Sequence, residues 1–298
     1  MQKPRAYLID ASIYIFRAWH VYDDAIVDAD GYPSNAVYGF SEFLYQILSQ
    51  HKPAHIACAF DAHQTDSYRC EIYPDYKANR PPAPEELIRQ FEYCREFCRA
   101  IGVAEFGSHR YEADDIIGTL AKRYRDQGYA ITILSADKDL TQLVEGEHDI
   151  WWDYARGNTL DRRGVEKHWG VRPEQIADML ALSGDKVDNI PGIPGVGYKM
   201  ASNLLKKYPD IETLLQNIEQ ISSMKFRGSA RIQNLVQEHQ HILPTNKRLT
   251  RIVTDAAFEP EHQDLSWQGV EQGRLHALFE QLDAGHGRRQ RWFDLWPG

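Results

Sequence analysis

The stretch AYLID (6–10) is a short apolar strand that stops at a carboxylate, Asp10. This arrangement recurs twice in the first half of the chain. HIACAFD (55–61) stops at Asp61, and YAITILSADKD (129–139) carries two aspartates just past its apolar run. One strand that ends in aspartate means little, but three such strands indicate a common structural feature.

Helical patterns lie between these strands, namely VYGFSEFLYQILSQ (37–50), PEELIRQFEYCREFCRAIG (84–102) and ADDIIGTLAKRYRDQG (113–128). Strands that alternate with helices predict an α/β fold with a mostly parallel sheet and flanking helices on both faces. Ligands of such sheets bind outside the carboxyl ends of the strands. We therefore expect four acidic side chains to gather at one sheet edge: Asp10, Asp61, Asp137 and Asp139.

Three more carboxylates, Glu112, Asp114 and Asp115, crowd the start of the helical pattern RYEADDIIGTLAKRY (110–124). Acidic side chains in a first turn interact well with the helix dipole, and most such runs are simply solvated. If the helix follows a strand at VAEFGS (103–108), its first turn faces the same sheet edge. The triplet is then either a solvated helix start or part of a larger acidic cluster.

The second half of the chain changes character near residue 170. Residues 172–215 have the pattern of a helix, a Gly/Pro-rich hairpin and a second helix, and no convincing strand pattern follows. We expect an α/β domain over residues 1–170 and a helical region over residues 171–298.

The hairpin GIPGVGYKMA (192–201) sets Gly192, Gly195 and Gly197 around a tight turn before a helix that carries Lys199. Glycine permits positive φ and close backbone approach, and the N–H groups of a helix start can bind a phosphate oxygen. Residues 183–231 contain seven basic and five acidic residues, against a net charge of −9 for the chain. The hairpin therefore predicts contact with a nucleic-acid backbone, and the alternative is a corner whose glycines serve packing.

Composition sets broader limits. A chain of 298 residues with 43% apolar content can form a large core. The net charge of −9 argues against a protein that coats nucleic acid, but not against an enzyme whose acids concentrate at a metal site. The four cysteines form no CxxC pair, and no stretch has the length of a signal or membrane-spanning segment. We expect a soluble cytoplasmic protein without membrane association.

The chain resembles the 5′ nucleases: the 5′–3′ exonuclease domain of bacterial DNA polymerase I, the phage 5′ exonucleases and the flap endonucleases. The matching stretches run in family order: LIDASIYIFRAWH (8–20), FDAHQTDSYRCEIYPDYKANRPPAPEEL (60–87), YEADDIIGTLA (111–121), ILSADKDLTQLV (133–144) and LSGDKVDNIPGIPGVGYKMASNLL (182–205). Met200 stands where the family usually has Thr, and His63 and Gln64 match no family role.

The resemblance implies a PIN-like α/β fold with an arch segment near residues 66–90. It also implies a C-terminal helical DNA-binding region with a helix–hairpin–helix (helix–three-turn–helix) motif. Because no polymerase region follows before Gly298, the chain is expected to be a free-standing member of the family. It is also expected to be a monomer.

The resemblance also implies a site for two divalent ions, Mg²⁺ or Mn²⁺. One set of acids is expected near the first ion: Asp10, Asp61, Glu112 and Asp114. A second set is expected near the other: Asp115, Asp137, Asp139, Asp185 and Asp188. The hairpin is expected to hold K⁺ through the main-chain carbonyls of Ile193 and Val196.

YPDYKANRPP (73–82) resembles the start of the family's helical arch, where the 5′ single strand passes. Lys77 and Arg80 are expected to stabilise developing charge, although Lys and Arg are more commonly solvated surface charges. Tyr76 is expected to stack on an unpaired base, and Arg17 to contact a phosphate. The C-terminal RRQRWFDLWPG (288–298) either contacts nucleic acid or packs onto the body, and we favour packing.

These features predict a metal-dependent 5′–3′ exonuclease and structure-specific 5′ flap endonuclease. The expected substrates are DNA with a 5′ flap, nick, gap or 5′ overhang, and RNA–DNA primer hybrids are compatible. Two alternatives remain: a non-catalytic module that binds duplex backbone, and a PIN-like RNase. The intact acids argue against the first, and the long hairpin segment 182–205 argues against the second.

Overall fold

The computed structural model describes residues 3–62, 67–258 and 264–295, so His63 and Gln64 lie outside the described part of the chain. By packing, the chain divides into two compact units. Unit 1 comprises residues 1–65, 82–136 and 254–298, and unit 2 comprises residues 66–81 and 137–253. The domain boundary near residue 170 stays a prediction. In the described residues, no helix is long and apolar enough to cross a bilayer.

The described residues contain six strands: β1 (Arg5–Asp10), β2 (His55–Asp61), β3 (Ala104–Ser108), β4 (Ala130–Leu134), β5 (Ile150–Asp153) and β6 (Asn158–Leu160). They contain thirteen α-helices: α1 (Ala11–Val21), α2 (Asn35–His51), α3 (Tyr68–Ile72), α4 (Glu85–Ala100), α5 (Ala113–Asp126), α6 (Arg162–Trp169), α7 (Ile176–Ser183), α8 (Tyr198–Lys207), α9 (Ile211–Gln216), α10 (Ser229–His239), α11 (Leu243–Thr250), α12 (Gln272–Gln281) and α13 (His286–Leu295).

The core of unit 1 is a parallel sheet in the order β3-β2-β1-β4. Its strands are apolar runs with side chains buried on both faces, as expected when helices cover a parallel sheet. The strands are in register at their carboxyl ends, where Asp10 pairs with Ala59 and Asp61 pairs with Ser108. The mostly parallel α/β fold predicted from the sequence is confirmed.

Helices α2 and α4 of unit 1 are joined by a buried polar side chain as well as by apolar packing. The Gln90 carbonyl accepts hydrogen bonds from the N–H groups of Ala36 and Val37 at 2.7 and 3.2 Å. These N–H groups belong to the first turn of α2, and the N–H groups of a first turn have no acceptor within their own helix. Gln90 therefore fixes where α2 begins.

The C-terminal helices α12 and α13 belong to unit 1. Trp292 of α13 is fully buried, with its ring edge-on to Tyr45 and Phe97 at centroid distances of 5.3 and 5.0 Å. Arg291 forms an ion pair with Glu42 at 2.5 Å. For the described part of the C-terminal segment, the expectation of packing onto the body is confirmed.

Unit 2 holds the antiparallel pair β5–β6 and a group of helices around the segment between α7 and α8. Asn246 of α11 fixes this segment, because its amide donates to the carbonyls of Ala181 and Pro191 at 3.0 and 2.6 Å. Thr250, one turn later, donates to the carbonyl of Ala177 at 2.8 Å. The predicted helix–hairpin–helix is therefore present as α7, the hairpin and α8.

Replacing Trp292 with alanine should lower the free energy of unfolding by ~3–5 kcal/mol, because it empties a fully buried aromatic site. Urea unfolding followed by circular dichroism measures this. Gln290→Ala, on an exposed face of the same helix, is the matched control and should change stability by at most about 0.5 kcal/mol. Equal, small losses for both variants would show that α13 contributes little to the fold of unit 1.

Candidate active site

Asp10 is the last residue of β1 and the N-cap residue of α1, and its carboxylate is buried. One oxygen, Oδ1, accepts the N–H of Ile13 at 3.3 Å and so caps the helix. The other, Oδ2, accepts the hydroxyl of Ser135, just past the end of β4, at 2.8 Å. The carboxylate of Asp10 is therefore held at the carboxyl edge of the sheet by two neighbouring elements.

Asp61 occupies the equivalent position at the end of β2. Its Oδ1 accepts the N–H of Ala113, the first residue of α5, at 2.8 Å. Its own N–H donates to the hydroxyl of Ser12 on α1 at 2.9 Å. These bonds connect the end of β2 to the first turns of two helices, so the same sheet edge collects both strand ends and helix N-termini.

The triplet from the sequence analysis lies at the start of α5. Glu112 is the N-cap residue, and Asp114 and Asp115 lie in the first turn. Asp115 is fully buried, and its Oδ2 accepts the N–H of Glu112 at 3.3 Å. Because Glu112 and Asp115 are 6% and 0% exposed, the alternative of a solvated helix start is wrong for these two residues. The part of the triplet in a larger acidic cluster stays a prediction. In unit 1 the bond from Ala113 to Asp61 places the start of α5 beside the end of β2, and β2 pairs with β1, which ends at Asp10.

Unit 2 contains a second group of acids, predicted at Asp137, Asp139, Asp185 and Asp188. Asp137 Oδ1 accepts the N–H of Asp139 at 2.9 Å. Burial raises the pKa of Asp137. Burial, together with the charge of Asp137, raises the pKa of Asp139 to about 8. These carboxyls are therefore costly to ionise without a compensating cation.

A lysine inside this group supplies part of that compensation. Lys138 Nζ lies 2.6 Å from Asp185 Oδ2 and 3.1 Å from Asp139 Oδ1. Burial acts against the ammonium, but the charge of Asp139 and the hydrogen bond to Asp185 outweigh it and raise the pKa of Lys138. Burial likewise acts to raise the pKa of Asp185, yet the hydrogen bond from Lys138 holds it below the ordinary value.

The arch-start segment (73–82) is a series of turns after α3, and it contacts residues 186–190. Lys77 has a positive φ of 56°, and its N–H donates to the carbonyl of Asp188 at 3.0 Å. Arg80 Nη2 lies 2.6 Å from Asp188 Oδ1. The Arg80 N–H donates to the carbonyl of Lys77 at 3.0 Å, so the two residues share one turn. Arg80 forms an ion pair with an acid of the second group.

The structure contradicts a base-stacking role for Tyr76. The residue is 5% exposed and packs with Ile190 and Leu249, while its hydroxyl donates to Asp188 Oδ2 at 3.2 Å. The ammonium of Lys77 lies 5.0 Å from the ring centroid. Because neither face is open to an unpaired base, Tyr76 packs the segment and orients Asp188. In the sequence Tyr76 lies in a polar stretch, and no local pattern predicts that it is buried.

The three hairpin glycines have different roles. Gly195 has a φ of 77° in the turn closed by the bond from the Val196 N–H to the Ile193 carbonyl at 3.0 Å. Gly197 precedes α8, and a side chain there would meet nothing within 4 Å. Gly195, Gly197 and Lys199 are exposed and present the start of α8 to solvent.

For Gly192 the structure favours the packing alternative. A Cβ atom at this position would lie 2.1 Å from the carbonyl carbon of Ser183 and 2.3 Å from the nitrogen of Gly184. The backbone of Gly192 therefore packs directly on the end of α7, which explains this glycine without a contact to DNA, and a DNA-binding role for it stays a prediction.

Three side chains that the sequence analysis did not single out belong to these surfaces: Lys138, Tyr198 and Arg231. Tyr198 is the first residue of α8 and is exposed, and the charges of Lys138 and Asp185 act on its hydroxyl. Arg231 of α10 is exposed, and its guanidinium would lie 3.9 Å from a Cβ at Gly195. The DKD pattern at 137–139 could have identified Lys138 as part of the acidic group, whereas no local pattern identifies Arg231 as part of the hairpin surface.

The chemistry of these acids fits divalent metal ions. Their carboxylate oxygens are hard ligands of the type that Mg²⁺ prefers. Asp139 Oδ1 is buried and receives no hydrogen bond of good geometry. In residues 3–62, 67–258 and 264–295, no three His, Cys, Asp or Glu side chains are already arranged as a ligand set for one ion. The metal roles, and the phosphate contact of the exposed Arg17 on α1, therefore stay predictions.

Comparison with known proteins places the chain in a family. Residues 5–170 match the 5′-3′ exonuclease N-terminal, resolvase-like domain, and residues 171–273 match the 5′-3′ exonuclease C-terminal SAM fold. A 5′-3′ exonuclease of Aquifex aeolicus is 34% identical over 93% of this chain and 91% of its own length. DNA polymerase I of Bacillus caldotenax is 36% identical over 94% of this chain, which spans 31% of that protein.

Solved structures have the same fold. T5 5′-exonuclease with bound zinc matches with a TM-score of 0.65 and 21% identity, over 83% of this chain and 89% of that chain. The catalytic core of Rad2 in complex with DNA substrate matches with a TM-score of 0.65 and 14% identity, over 99% and 93%. The fold predicted from the motifs is confirmed, and the chain belongs to the 5′-3′ exonuclease family.

Proposed function

We propose that this chain is a metal-dependent 5′–3′ exonuclease and structure-specific 5′ flap endonuclease of DNA. One observation carries the proposal above all others. At the carboxyl edge of the unit 1 sheet, Asp10 and Asp61 are fixed by bonds to Ser135 and Ala113 beside the acidic start of α5. Neighbouring carboxylates held in fixed positions repel one another, and a divalent cation offsets that repulsion.

Two groups of acids would hold Mg²⁺ or Mn²⁺, one group in each unit. In unit 1 the direct ligands would come from Asp10, Asp61, Glu112 and Asp114. Asp115, which the resemblance assigned to the second ion, accepts the backbone N–H of Glu112 and would act by orienting that residue. In unit 2 they would come from Asp137, Asp139, Asp185 and Asp188. Divalent ions at such sites supply an activated water and neutralise the charge that develops on the phosphate oxygens.

The hairpin would bind the duplex part of the substrate. Its exposed turn at Gly195, the open backbone of Gly197 and the charge of Lys199 fit contact with phosphate oxygens. A K⁺ ion held by the carbonyls of Ile193 and Val196 would add a bridge to the backbone. Contacts of this kind position a duplex and carry no base sequence, as a structure-specific nuclease requires.

The substrates we propose are DNA with a 5′ flap, nick, gap or 5′ overhang, and RNA–DNA primer hybrids as a further class. The names of structural neighbours support this range, since T5 D15 is a flap endonuclease and its complex contains DNA and metal ions. Rad2 likewise forms complexes with DNA substrate. We propose that the chain acts as a cytoplasmic monomer.

Lys77 and Arg80 would stabilise the charge that develops on the reacting phosphate. Their shared turn is fastened to Asp188 by the Lys77 N–H and the Arg80 guanidinium, so the two cations are tied to the unit 2 acids. Fixed cations beside a reacting phosphate stabilise the transition state without reorganisation. A non-catalytic duplex-binding module would need no such arrangement, and cleavage assays separate the two functions.

Asp10→Asn should reduce Mg²⁺-dependent cleavage of a 5′-labelled flap duplex by at least about a hundredfold, because the loss of even an indirect partner of a metal ion costs ~10–100-fold. Asparagine still caps α1, so the fold should be retained. Asp126→Asn removes an exposed carboxylate of α5 and serves as the control, with unchanged turnover. Turnover near that of the unaltered protein for Asp10→Asn would refute the metal role of the unit 1 edge.

Lys77→Ala should lower kcat at least about tenfold while the affinity for flap DNA changes little, because the lost charge acts mainly on the transition state. Steady-state kinetics measure kcat and KM, and anisotropy in chelator measures the affinity, with DNA of matched sequence in both experiments. Lys167→Ala, an exposed lysine of α6, provides the comparison. An effect of Lys77→Ala confined to KM would assign Lys77 to substrate binding instead.

Lys199→Ala should weaken binding of flap duplexes of any sequence and reduce the slope of log affinity against log salt by about 0.9, the value for one phosphate contact. Fluorescence anisotropy with chelator present, so that no cleavage occurs, measures the slope between low and moderate salt. Lys122→Ala on α5 should leave it unchanged. A slope identical to that of the unaltered chain would remove Lys199 from the duplex-binding surface.

A further inference from the structure

Lys138 lies within the acidic group of unit 2, and its ammonium contacts the oxygens that a metal ion would use. Its Nζ is 2.6 Å from Asp185 Oδ2 and 3.1 Å from Asp139 Oδ1. The Lys138 side chain is 26% exposed, whereas those of Asp139 and Asp185 are 14% and 4% exposed. The ammonium is therefore a partly buried charge at close range to both carboxylates.

The other acids of the group have different partners. Asp188 is taken by Arg80 at 2.6 Å and by the Tyr76 hydroxyl at 3.2 Å. Asp137 accepts the N–H of Asp139 and experiences the charges of Lys138 and Lys77. In the described part of the chain, Asp139 and Asp185 each form an ion pair with Lys138. Lys138 is therefore the cation that compensates these two acids.

We propose that Lys138 is a built-in cation that holds the carboxylates of Asp139 and Asp185 in the metal-free protein and competes with a divalent ion for them. The inference rests on the metal dependence proposed above. Lys138 thereby sets the affinity of unit 2 for the metal. An ammonium can donate to several carboxylate oxygens at once, which makes it an effective stand-in for a metal ion.

The physical basis is charge competition. A divalent ion that binds Asp139 and Asp185 displaces the ammonium or is repelled by it at close range, and either effect weakens binding. Removing one partner of a buried ion pair, in contrast, leaves an uncompensated charge and destabilises the fold. Lys138 thus gives the metal-free protein an intact unit 2, and in return the metal is bound more weakly and exchanges more readily.

Titration calorimetry with Mn²⁺ on the full chain tests this directly. Lys138→Met removes the charge and keeps most of the side-chain volume, and should bind Mn²⁺ in its weaker class of sites at least about tenfold more tightly than the unaltered chain. Lys138→Arg retains the charge and should restore weak binding. The matched control is Lys122→Met, which deletes the same charge from an exposed pair with Asp126 in unit 1 and should leave all affinities unchanged.

A second measurement concerns stability and does not depend on activity. In chelator, Lys138→Met should have a lower thermal midpoint than the unaltered chain, and saturating Mn²⁺ should raise the midpoint of the variant by more than that of the parent. Lys138→Gln, which keeps a hydrogen-bond donor, takes its place in both measurements if the methionine variant does not fold.

The outcomes separate this inference from the proposed function. If the unaltered chain binds no divalent ion, the metal-dependent function is refuted and this inference falls with it. If the unaltered chain binds Mn²⁺ and Lys138→Met binds it within about twofold of the same affinity, or more weakly, the role of Lys138 as a competing cation is refuted alone. Tighter binding by Lys138→Met, reversed in Lys138→Arg, supports it.

Discussion

The repulsion between carboxylates that the fold holds close together is the constraint on which the rest of this structure depends. The two compact units offset this repulsion by different means. In unit 1, backbone N–H groups and the N-terminus of α5 face the acids, as in the bond from Ala113 to Asp61. In unit 2, the side chains of Lys138 and Arg80 pair with Asp185 and Asp188. The carboxylates of unit 1 are thus stabilised by the partial charges of N–H groups, and those of unit 2 by the full charges of basic side chains.

This difference has a consequence for metal binding. Each carboxylate oxygen that accepts one hydrogen bond keeps a further lone pair, so the acids of unit 1 can accept a cation with little rearrangement. A lysine or arginine takes the place of the cation itself. The two groups of acids should therefore differ in metal affinity, and that difference arises from the partners of the acids and not from their number.

Much of the fold could be predicted from the sequence because its signals are local. The apolar runs before Asp10 and Asp61 are strands, and their ends meet because parallel strands share a carboxyl edge. The burial of Tyr76 against Leu249 could not be predicted, since it depends on residues far apart in the chain. The same holds for Trp292, although its aromatic neighbours in the sequence favoured packing.

The site was predictable in its acids and less so in their partners. A carboxylate after an apolar run is a sequence pattern, whereas the pairing of Lys138 with Asp185 joins residues 47 positions apart. Glycines also carried less information than their spacing suggested. Gly195 needs its positive φ, but Gly192 is required because the backbone of Ser183 lies against it, and one sequence letter cannot distinguish these reasons.

The most direct test of the account is a crystal structure of the full chain with Mn²⁺, located by its anomalous scattering. The account predicts Mn²⁺ bound by carboxylate oxygens of Asp10 and Glu112 at the carboxyl edge of the sheet, at distances of ~2.0–2.2 Å that suit small hard cations. Crystals that contain Mn²⁺ elsewhere, with none at these acids, would contradict it.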